Sequence, residues 1–365
     1  MKHWQETSEI LAIAAEAASG GRPVPVALAT VVRISGSAYR RPGAKLLVRD
    51  DGGMSGSVSG GCLEADVREH ALLVGREAAP KLLHYETGSD DRAPFGLGLG
   101  CNGAVDVFVQ PMGTPAFEET ARHLRPSLQD GRAVAVATAL EGTGAGRSVV
   151  LAAGGQVKGS TGDAALDRRL SELAAERLAG GESSLDVIEG VKVFTEVLVP
   201  PPHLVVFGAG DDAIPLVRYA LDAGFRLALV DHRPAYLAAA RFPEAARRIQ
   251  LRPETPGASA QLPLGRETFA LLKTHSLERD REWTRLLIAS EVAYIGVLGP
   301  RARVEEIMRQ LPAKADERVF GPVGLDLGAE GPEQVGMSVV AELLAVRSGR
   351  SPRHLRDKDG PIHAR

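Results

Sequence analysis

A cysteine lies within a glycine- and serine-rich stretch, GSVSGGCLEADV at residues 56–67, that leads into a predicted helix. The amides of such a turn can form an anion cradle, and the helix dipole stabilises a thiolate at the N-terminus of a helix. We therefore predict that Cys62 is reactive and that Gly60 and Gly61 contact an anionic ligand. Glu64 either accepts a proton in this site or only begins the helix, and the sequence favours neither role.

Three basic residues precede this loop, namely Arg40, Arg41 and Lys45. They could neutralise a phosphate, with Arg41 as the predicted ligand, or they could form a solvated turn. The other cysteine, Cys101, lies in a second glycine-rich segment, GLGLGCNG. Two cysteines are too few for a disulfide framework or a four-cysteine zinc site, and the histidines show no metal-site spacing. An isolated cysteine is most often a small buried side chain, but these neighbours favour working thiols.

A dinucleotide-binding pattern follows later in the chain. The stretch VVFGAGDDA combines a strand, the pattern G-x-G-x-x-A with Gly208 and Gly210, and the start of a helix. Because Asp231 ends the next predicted strand, this is the fingerprint in which glycines approach a pyrophosphate and the acid binds the ribose. The acid would repel a 2′-phosphate, which favours NAD over NADP. Asp211 and Asp212 lie where the pyrophosphate would rest, and their alternative role is to cap the helix.

Polar or glycine residues also follow three other predicted strands of this half. His275 comes after ALLK, Gly299 comes after YIGVL, and Asp326 lies within GPVGLDLGAEGPE. Open parallel sheets bind ligands in the crevice outside the carboxyl ends of their strands. We therefore predict that these three residues line a ligand site, although a lone histidine at a strand end is usually an ordinary surface residue.

The elements that must position the cysteine loop occur twice. A predicted helix at residues 5–19 precedes the strands VPVALATVV and KLLVR, the loop, a helix at 63–76 and the strand AVDVFVQP. Residues 131–200 repeat this order. GRAVAVATAL corresponds to GRPVPVALAT and GRSVVLAAGG to GAKLLVRDDG, while GSTGDAALD corresponds to GSVSGGCLE and TEVLVP to DVFVQP. Such an echo indicates a degenerate internal duplication.

The two copies differ where chemistry is expected. Aligning the two loops places Ala165 opposite Cys62 and Asp167 opposite Glu64. The segment that carries Cys101 is absent from the second copy. We therefore predict a working half that is paired with a scaffolding half.

Three consecutive prolines from Pro200 separate the second part of the chain, as stiff linkers do. Helices are predicted there at residues 213–223, 234–247, 278–290 and 301–310, between near-continuous apolar strands. Apolar strands that alternate with helices predict a parallel sheet covered on both faces.

The predicted fold class is therefore α/β. It combines a C-terminal Rossmann-type, doubly wound parallel sheet with an N-terminal α+β domain that contains the degenerate duplication. The predicted boundaries are 1–112 and 113–200 for the two copies, 203–347 for the Rossmann-type domain, and 348–365 for a mobile tail.

Composition limits the classes of partner. The chain has 365 residues, of which 44% are hydrophobic and 24% charged, as in globular proteins too long for one core. The 43 basic and 46 acidic side chains nearly cancel, so we expect neither nucleic acid nor an anionic membrane as a partner. Acidic residues interrupt the first apolar stretch, and no segment is long enough to span a bilayer. A cytoplasmic location is therefore expected.

Six segments, in order and spread over almost the whole chain, resemble the XdhC/CoxI accessory proteins of molybdenum hydroxylases. They are SGSAYRRPGAKLLV, GSVSGGCLE, GLGLGCNG, VVFGAGDDA, YIGVLGPR and GPVGLDLGAEGPEQV. The resemblance implies a protein that binds molybdenum cofactor, assists its sulfuration with a cysteine desulfurase, and delivers it to xanthine dehydrogenase or a carbon monoxide dehydrogenase type enzyme. The family pattern falls on these positions: Gly60, Gly61, Cys62, Glu64, Gly208, Gly210, Asp231, His275 and Asp326. One departure is Asp211, where the family commonly has histidine.

The leading interpretation is a non-enzymatic chaperone for molybdenum cofactor in which Cys62, together with Cys101, holds the metal or relays sulfur. A pterin with a phosphate tail needs an anion cradle, and its molybdenum is soft toward sulfur. The alternative is an NAD-dependent oxidoreductase that uses the Rossmann-type domain and His275, and a third reading is a regulatory adaptor that binds neither. We expect a homodimer, with a cysteine desulfurase and a client hydroxylase as partners.

Overall fold

The computed structural model describes residues 2–20, 23–36, 40–86, 103–242, 247–311 and 316–359. The chain forms two compact units, Met1–Pro200 and Pro201–Arg365. Within the described ranges, no helix is both long and apolar enough to cross a lipid bilayer.

The first unit begins with helix α1 and a five-stranded sheet. The elements are α1 (Lys2–Ala18), β1 (Pro25–Gly36), β2 (Lys45–Arg49), β3 (Met54–Gly56), α2 (Glu64–Glu77), β4 (Lys81–Glu86) and β5 (Gly103–Pro111). The strand order is β3-β2-β1-β5-β4, and every pair is antiparallel. The cysteine loop therefore joins an edge strand of this sheet to α2.

The second sheet of this unit has the same plan. Its elements are α3 (Pro115–Asp130), β6 (Val134–Ala139), β7 (Ser148–Ala152), β8 (Val157–Lys158), α4 (Ala164–Gly180), β9 (Ser184–Ile188) and β10 (Val191–Leu198). The order is β8-β7-β6-β10-β9, again antiparallel throughout. The common order supports the internal duplication inferred from the sequence echoes.

Each sheet of the first unit is apolar on both faces. Successive strand residues point to opposite sides, and apolar residues occupy both sets of positions. In β1, Ala29 and Val31 pack beneath α2, whereas Leu28 and Val32 face the second sheet. Helix α4 covers the outer face of the second sheet through Leu170 and its neighbours. Helices α1 and α3 complete the core between the sheets.

The second unit contains one six-stranded parallel sheet. Its elements are β11 (His203–Phe207), α5 (Ala213–Asp222), β12 (Arg226–Asp231), β13 (Arg247–Gln250), β14 (Thr268–Leu272), α6 (Leu277–Ile288), β15 (Tyr294–Val297), α7 (Arg301–Arg309), β16 (Val319–Phe320) and α8 (Gly331–Ser348). The order β13-β12-β11-β14-β15-β16 is that of a Rossmann fold. Helices α5 and α8 cover one face, and α6 and α7 cover the other. The predicted α/β fold class is confirmed.

One predicted element of this unit is wrong. The helix expected at residues 234–247 is a short 3₁₀ turn, Pro234–Leu237, and Arg247–Gln250 forms the parallel edge strand β13. Strand β13 has a single buried side chain, Ile249, so it lacks the apolar run by which buried strands are detected. The third strand that a Rossmann sheet requires was therefore missed.

Candidate functional site

The cysteine loop, residues 57–63, is fixed at both ends by buried side chains. Val58 and Leu63 are 2% and 3% exposed and pack into the core beneath α2. The loop starts at Gly56, which has φ +93° and where an added Cβ would lie 2.3 Å from the carbonyl oxygen of Lys45. Only glycine satisfies both conditions, so the chain can turn here beside β2.

The carboxylate of Glu64 organises the loop from inside. It accepts hydrogen bonds from the amides of Val58, Ser59, Gly60 and Gly61, at 2.8–3.1 Å, and from the hydroxyls of Ser57 and Ser59. Burial acts to raise the pKa of Glu64, but the hydrogen bonds from Ser59 and Ser57 outweigh it and hold the pKa at about 2. Such a carboxylate is a poor proton acceptor.

This geometry corrects the anion-cradle prediction for Gly60 and Gly61. Their amides donate to Glu64, so the anion held by the loop is a side chain of the protein. The loop presents an exposed thiol instead, because Cys62 is a free and exposed cysteine one residue before the buried Leu63. Among the described residues, no three His, Cys, Asp or Glu side chains gather into a metal-binding group. Cys101 lies outside the described residues.

Two of the three basic residues before the loop are structural. Arg40 is 8% exposed, donates from Nε to the carbonyl oxygen of Ser57 at 2.9 Å, and pairs with Glu6. Lys45 is 4% exposed and pairs with Glu196. Neither the phosphate role nor the solvated turn therefore describes them, because both cations are buried against carboxylates. Arg41 is exposed and available to a ligand.

The second copy repeats the loop without the thiol. Asp167 accepts hydrogen bonds from the Thr161 amide, at 2.7 Å, and from the hydroxyls of Thr161 and Ser160, both at 2.6 Å. Gly159 repeats the close approach of Gly56, since its added Cβ would lie 2.3 Å from the carbonyl oxygen of Ser148. Ala165 is exposed where the first copy has Cys62. An acidic residue thus supports the loop in both copies, and the cysteine is not needed for the turn.

A buried ion pair joins the two sheets of the first unit, and no motif in the sequence indicates it. Lys45 donates to Glu196 and to the carbonyl oxygen of Gly43. The pair borders a cavity of about 80 Å³ between the sheets, lined also by Thr30, Thr138 and other residues. Because the partners are 151 positions apart, only the pairing of the copies brings them together.

The strand registers show that this ion pair is one-sided: the equivalent positions on the other side of the cavity carry no charge. Thr30 pairs with Lys45 as Thr138 pairs with Ser148, and Leu28 pairs with Gln110 as Val136 pairs with Glu196. Ser148 and Gln110 are therefore the counterparts of Lys45 and Glu196. On this side of the cavity, where Ser148 and Gln110 are uncharged, the Gln110 amide donates to the carbonyl oxygen of Gly146 at 3.3 Å.

The Rossmann turn follows β11 as predicted. Gly208 has φ +108°, and an added Cβ would lie 2.4 Å from the carbonyl oxygen of Lys273 at the end of β14. Asp212 lies at the start of α5, and its carboxylate pairs with Lys273 Nζ at 2.6 Å and His275 Nε2 at 3.2 Å. Burial raises the pKa of Asp212, but Lys273 and His275 bring it below its ordinary value. His275 itself adopts the left-handed region, with φ +58°.

Asp231 ends β12, as predicted, but its carboxylate is engaged within the protein. The side chain is 2% exposed and accepts hydrogen bonds from the Ala209 amide and, in several contacts at 2.9–3.0 Å, from Arg233. Burial acts to raise its pKa, and the bonds from Arg233 and Ala209 lower it to about 2. In this structure the carboxylate therefore bonds to its own chain and does not present its oxygens to a ribose, unlike the predicted role.

The predicted crevice residues are only partly brought together. His275 contacts Asp212 near Gly210, where an added Cβ would lie 3.9 Å from His275 Nε2. Gly299 follows β15 with φ +136°, beside Arg303. Asp326 is exposed, and its side chain forms no hydrogen bond or ion pair with the described part of the chain. Sequence reasoning did not identify Lys273 as a site residue, because a lysine at the end of a strand gives no indication of its buried partner.

The residues at this turn do not fit NAD. The ribose acceptor Asp231 is buried, and the carboxylate of Asp212 lies at the turn where a pyrophosphate would bind. Beside the buried Asp231, the residues Gly208, Thr274 and Arg279 line a small cavity of about 10 Å³, the room of about one water molecule.

The fold and the site define a class of protein with two parts: a duplicated α+β unit that presents the exposed thiol of Cys62, and a Rossmann-type unit. Comparison with known proteins agrees with both parts. A family model described as the XdhC and CoxI family matches residues 21–86, and one described as the XdhC Rossmann domain matches residues 204–343. The chain belongs to the XdhC and CoxI family.

Two of the similar proteins match most of the chain, and a third matches a shorter part of it. A Bacillus subtilis (strain 168) protein, whose name describes it as a probable subunit of xanthine dehydrogenase, is 32% identical over 88% of this chain and 92% of its own length. The molybdenum cofactor insertion chaperone PaoD of Escherichia coli (strain K12) is 34% identical over 29% of this chain and 35% of its own. A Bacillus halodurans crystal structure titled as a xanthine dehydrogenase has a TM-score of 0.77 and 27% identity, covering 95% of this chain and 98% of that one.

Proposed function

We propose that this protein is a maturation factor for a molybdenum hydroxylase. It binds molybdenum cofactor as cargo, assists its sulfuration, and transfers it to a client enzyme such as xanthine dehydrogenase. The names of the relatives support this role, because one is a molybdenum cofactor insertion chaperone and another is named for xanthine dehydrogenase.

The observation that carries the proposal is the exposed thiol of Cys62 on a rigid loop. Its sulfur is accessible, while Glu64 and the buried Val58 and Leu63 fix the backbone around it. Thiolates suit soft metals, and molybdenum held by a dithiolene accepts sulfur ligands. Cys62 would therefore either bind the molybdenum directly or carry sulfur toward it.

The phosphate of the cargo must be recognised outside the loop, because the loop amides are occupied by Glu64. Arg41 is the exposed cation of the three that precede the loop, and we assign it this role. Cys101 is the second candidate thiol. The donor of the sulfur is a cysteine desulfurase in this proposal, and the protein acts as a homodimer.

The test compares thiols at equivalent positions of the two copies. Wild type, Cys62→Ala, and Cys62→Ala combined with Ala165→Cys are purified from cells that make molybdenum cofactor. The fluorescence of oxidised pterin released per mole of protein measures the bound cargo. We expect at least a tenfold loss of pterin in Cys62→Ala. The thiol at position 165 should not restore it, although Ala165 is exposed at the aligned position of the second copy, in the first turn of α4.

The folding of each variant is checked by its melting temperature. An exposed cysteine changed to alanine should alter stability by no more than about 0.5 kcal/mol. Equal pterin content in wild type and Cys62→Ala would contradict the proposal. Turnover of NADH by the purified chain would favour the alternative, an oxidoreductase.

A further inference from the structure

The turn with the dinucleotide fingerprint is filled by a carboxylate of its own chain. In nucleotide-binding Rossmann domains, the second glycine of the turn lets the backbone approach the pyrophosphate. Here a Cβ added to Gly210 would lie 2.7 Å from Asp212 Oδ1. The space left by the missing side chain is thus occupied by Asp212.

The counter-ion of this carboxylate is also internal. The Lys273 side chain is 1% exposed and donates to Asp212 Oδ1 at 2.6 Å, and His275 contacts the other oxygen at 3.2 Å. A phosphate arriving from solvent would meet the anion before it met the buried ammonium. The charges at the turn are therefore balanced without a ligand.

A second carboxylate faces solvent at the same turn. The Asp211 side chain is 84% exposed and pairs with Arg241, which also donates to the carbonyl oxygen of Ala209 at 3.1 Å. Arg241 is a cation beside this turn, and its ion pair with Asp211 already neutralises it. Two carboxylates in adjacent positions oppose an incoming pyrophosphate.

The ribose side of the crevice is closed as well. Asp231 has a 2% exposed side chain held by Arg233 and the Ala209 amide. Two separate features thus disagree with the fingerprint: the turn and the ribose acceptor.

We propose that this Rossmann domain is self-occupied and binds no dinucleotide, with the Asp212 carboxylate in the place of the pyrophosphate and Lys273 as its counter-ion. The proposal goes beyond the role of Cys62 and does not depend on it. Loss of pterin in Cys62→Ala and absence of dinucleotide binding are separate measurements, so either can fail alone.

The first experiment titrates the full-length protein with NADH, NAD⁺ and NADP⁺ by isothermal calorimetry and ligand-observed NMR. We expect no saturable binding with a Kd below about 1 mM, the weak end of the usual affinity scale. Saturable binding of any of the three below that value would overturn the proposal. This titration uses wild type, so it decides the proposal whether or not a variant folds.

The second experiment asks whether the carboxylate itself is the obstacle, with inorganic pyrophosphate as the probe. Asp212→Asn keeps the shape and removes the charge, so Kd for pyrophosphate should fall at least tenfold relative to wild type. Asp222→Asn is the matched control, because it removes the same charge from the other end of α5 and should change nothing. If Asp212→Asn binds pyrophosphate no better than wild type, the carboxylate is not the obstacle and the proposal is wrong.

Removing the partner of a buried lysine can unfold a domain. The double variant Asp212→Asn/Lys273→Met removes both charges and leaves the amides at the start of α5 open. It should also bind pyrophosphate more tightly than wild type, with circular dichroism as the check on folding. Equal binding by wild type and the folded double variant would again contradict the proposal.

Discussion

Replacing Glu196 by glutamine should strongly destabilise the first unit. The change leaves the ammonium of Lys45, 4% exposed, between two sheets without an anionic partner. Removing one member of a buried ion pair costs about 3–5 kcal/mol, because the remaining charge stays desolvated. Lys45→Met should have a cost of the same size, since it leaves the Glu196 carboxylate unpaired.

The double variant Lys45→Met/Glu196→Gln should recover most of this loss. Its glutamine copies Gln110 on the other side of the cavity, where the Gln110 amide donates to the carbonyl oxygen of Gly146. The new amide can donate in the same way to Gly43, whose carbonyl oxygen now accepts from Lys45. A neutral replacement of a buried pair is often nearly neutral in stability, so we expect a coupling energy of at least about 2 kcal/mol.

Urea unfolding of the four proteins measures this coupling. The chain has two tryptophans, Trp4 in the core of the first unit and Trp283 in the second. A Trp283→Phe background in every member of the cycle lets Trp4 fluorescence report the first unit alone. Single variants that each lose less than about 1 kcal/mol, or losses that simply add, would refute the reasoning, because they would mean that the pair is effectively solvated.

Two other predictions concern Glu64, which supports the cysteine loop, and His3, which lies near Lys45. Glu64→Gln should weaken the cysteine loop, since the amide cannot accept all the loop hydrogen bonds. In a Cys101→Ser background, this variant should accelerate the alkylation of Cys62 by iodoacetamide. Asp167→Asn is the control, because it should destabilise the second loop without changing the alkylation rate of the thiol. His3 is kept neutral in the folded state, because burial and then Lys45 lower its pKa to about 3. The unfolded chain therefore gains a proton below about pH 6.5 that the folded chain does not, and stability should fall by about 1–2 kcal/mol from pH 7 to pH 5. In urea unfolding, His3→Asn should remove this dependence, and an unchanged pH profile in that variant would contradict it.

Three helices of the Rossmann unit could be predicted because their signals are local. The helices expected at residues 213–223, 278–290 and 301–310 correspond to Ala213–Asp222, Leu277–Ile288 and Arg301–Arg309. Helix α8 was missed, because its start lies in the glycine-rich stretch that resembles a strand end. A proline in the first turn of α8 is compatible with a helix start, and that signal was present.

The register of the last strand of each copy, β5 and β10, could not be predicted from matching letters. The sequence echo places DVFVQP beside TEVLVP, which equates Gln110 with Val199. The strand pairing equates Gln110 with Glu196, three positions earlier. An odd shift moves a side chain to the opposite face of a sheet, so the letter match would turn the cavity residue outward. Pairing across the sheet, which is a long-range property, decides the register.

The candidate sites show the same division between local and distant information. The glycine-rich turn before α2, with Cys62 at its end, follows from its own neighbours, and the sequence indicated such a turn. The occupancy of Glu64 and Asp231 depended on which donors the folded chain brings to them. An isolated motif specifies a shape, and only the folded neighbours determine whether its polar atoms remain free.

The one-sided ion pair has a consequence for how the two copies find each other. Two first copies placed face to face would set Lys45 against Gln110 twice, burying two ammonium groups without a carboxylate. Two second copies would set Glu196 against Ser148 twice, burying two carboxylates without a cation. Only the pairing of unlike copies satisfies both charges, so the cavity selects against mispairing. The first copy leaves the ribosome before the second, so we expect this charge pattern to disfavour the association of neighbouring nascent chains through their first copies.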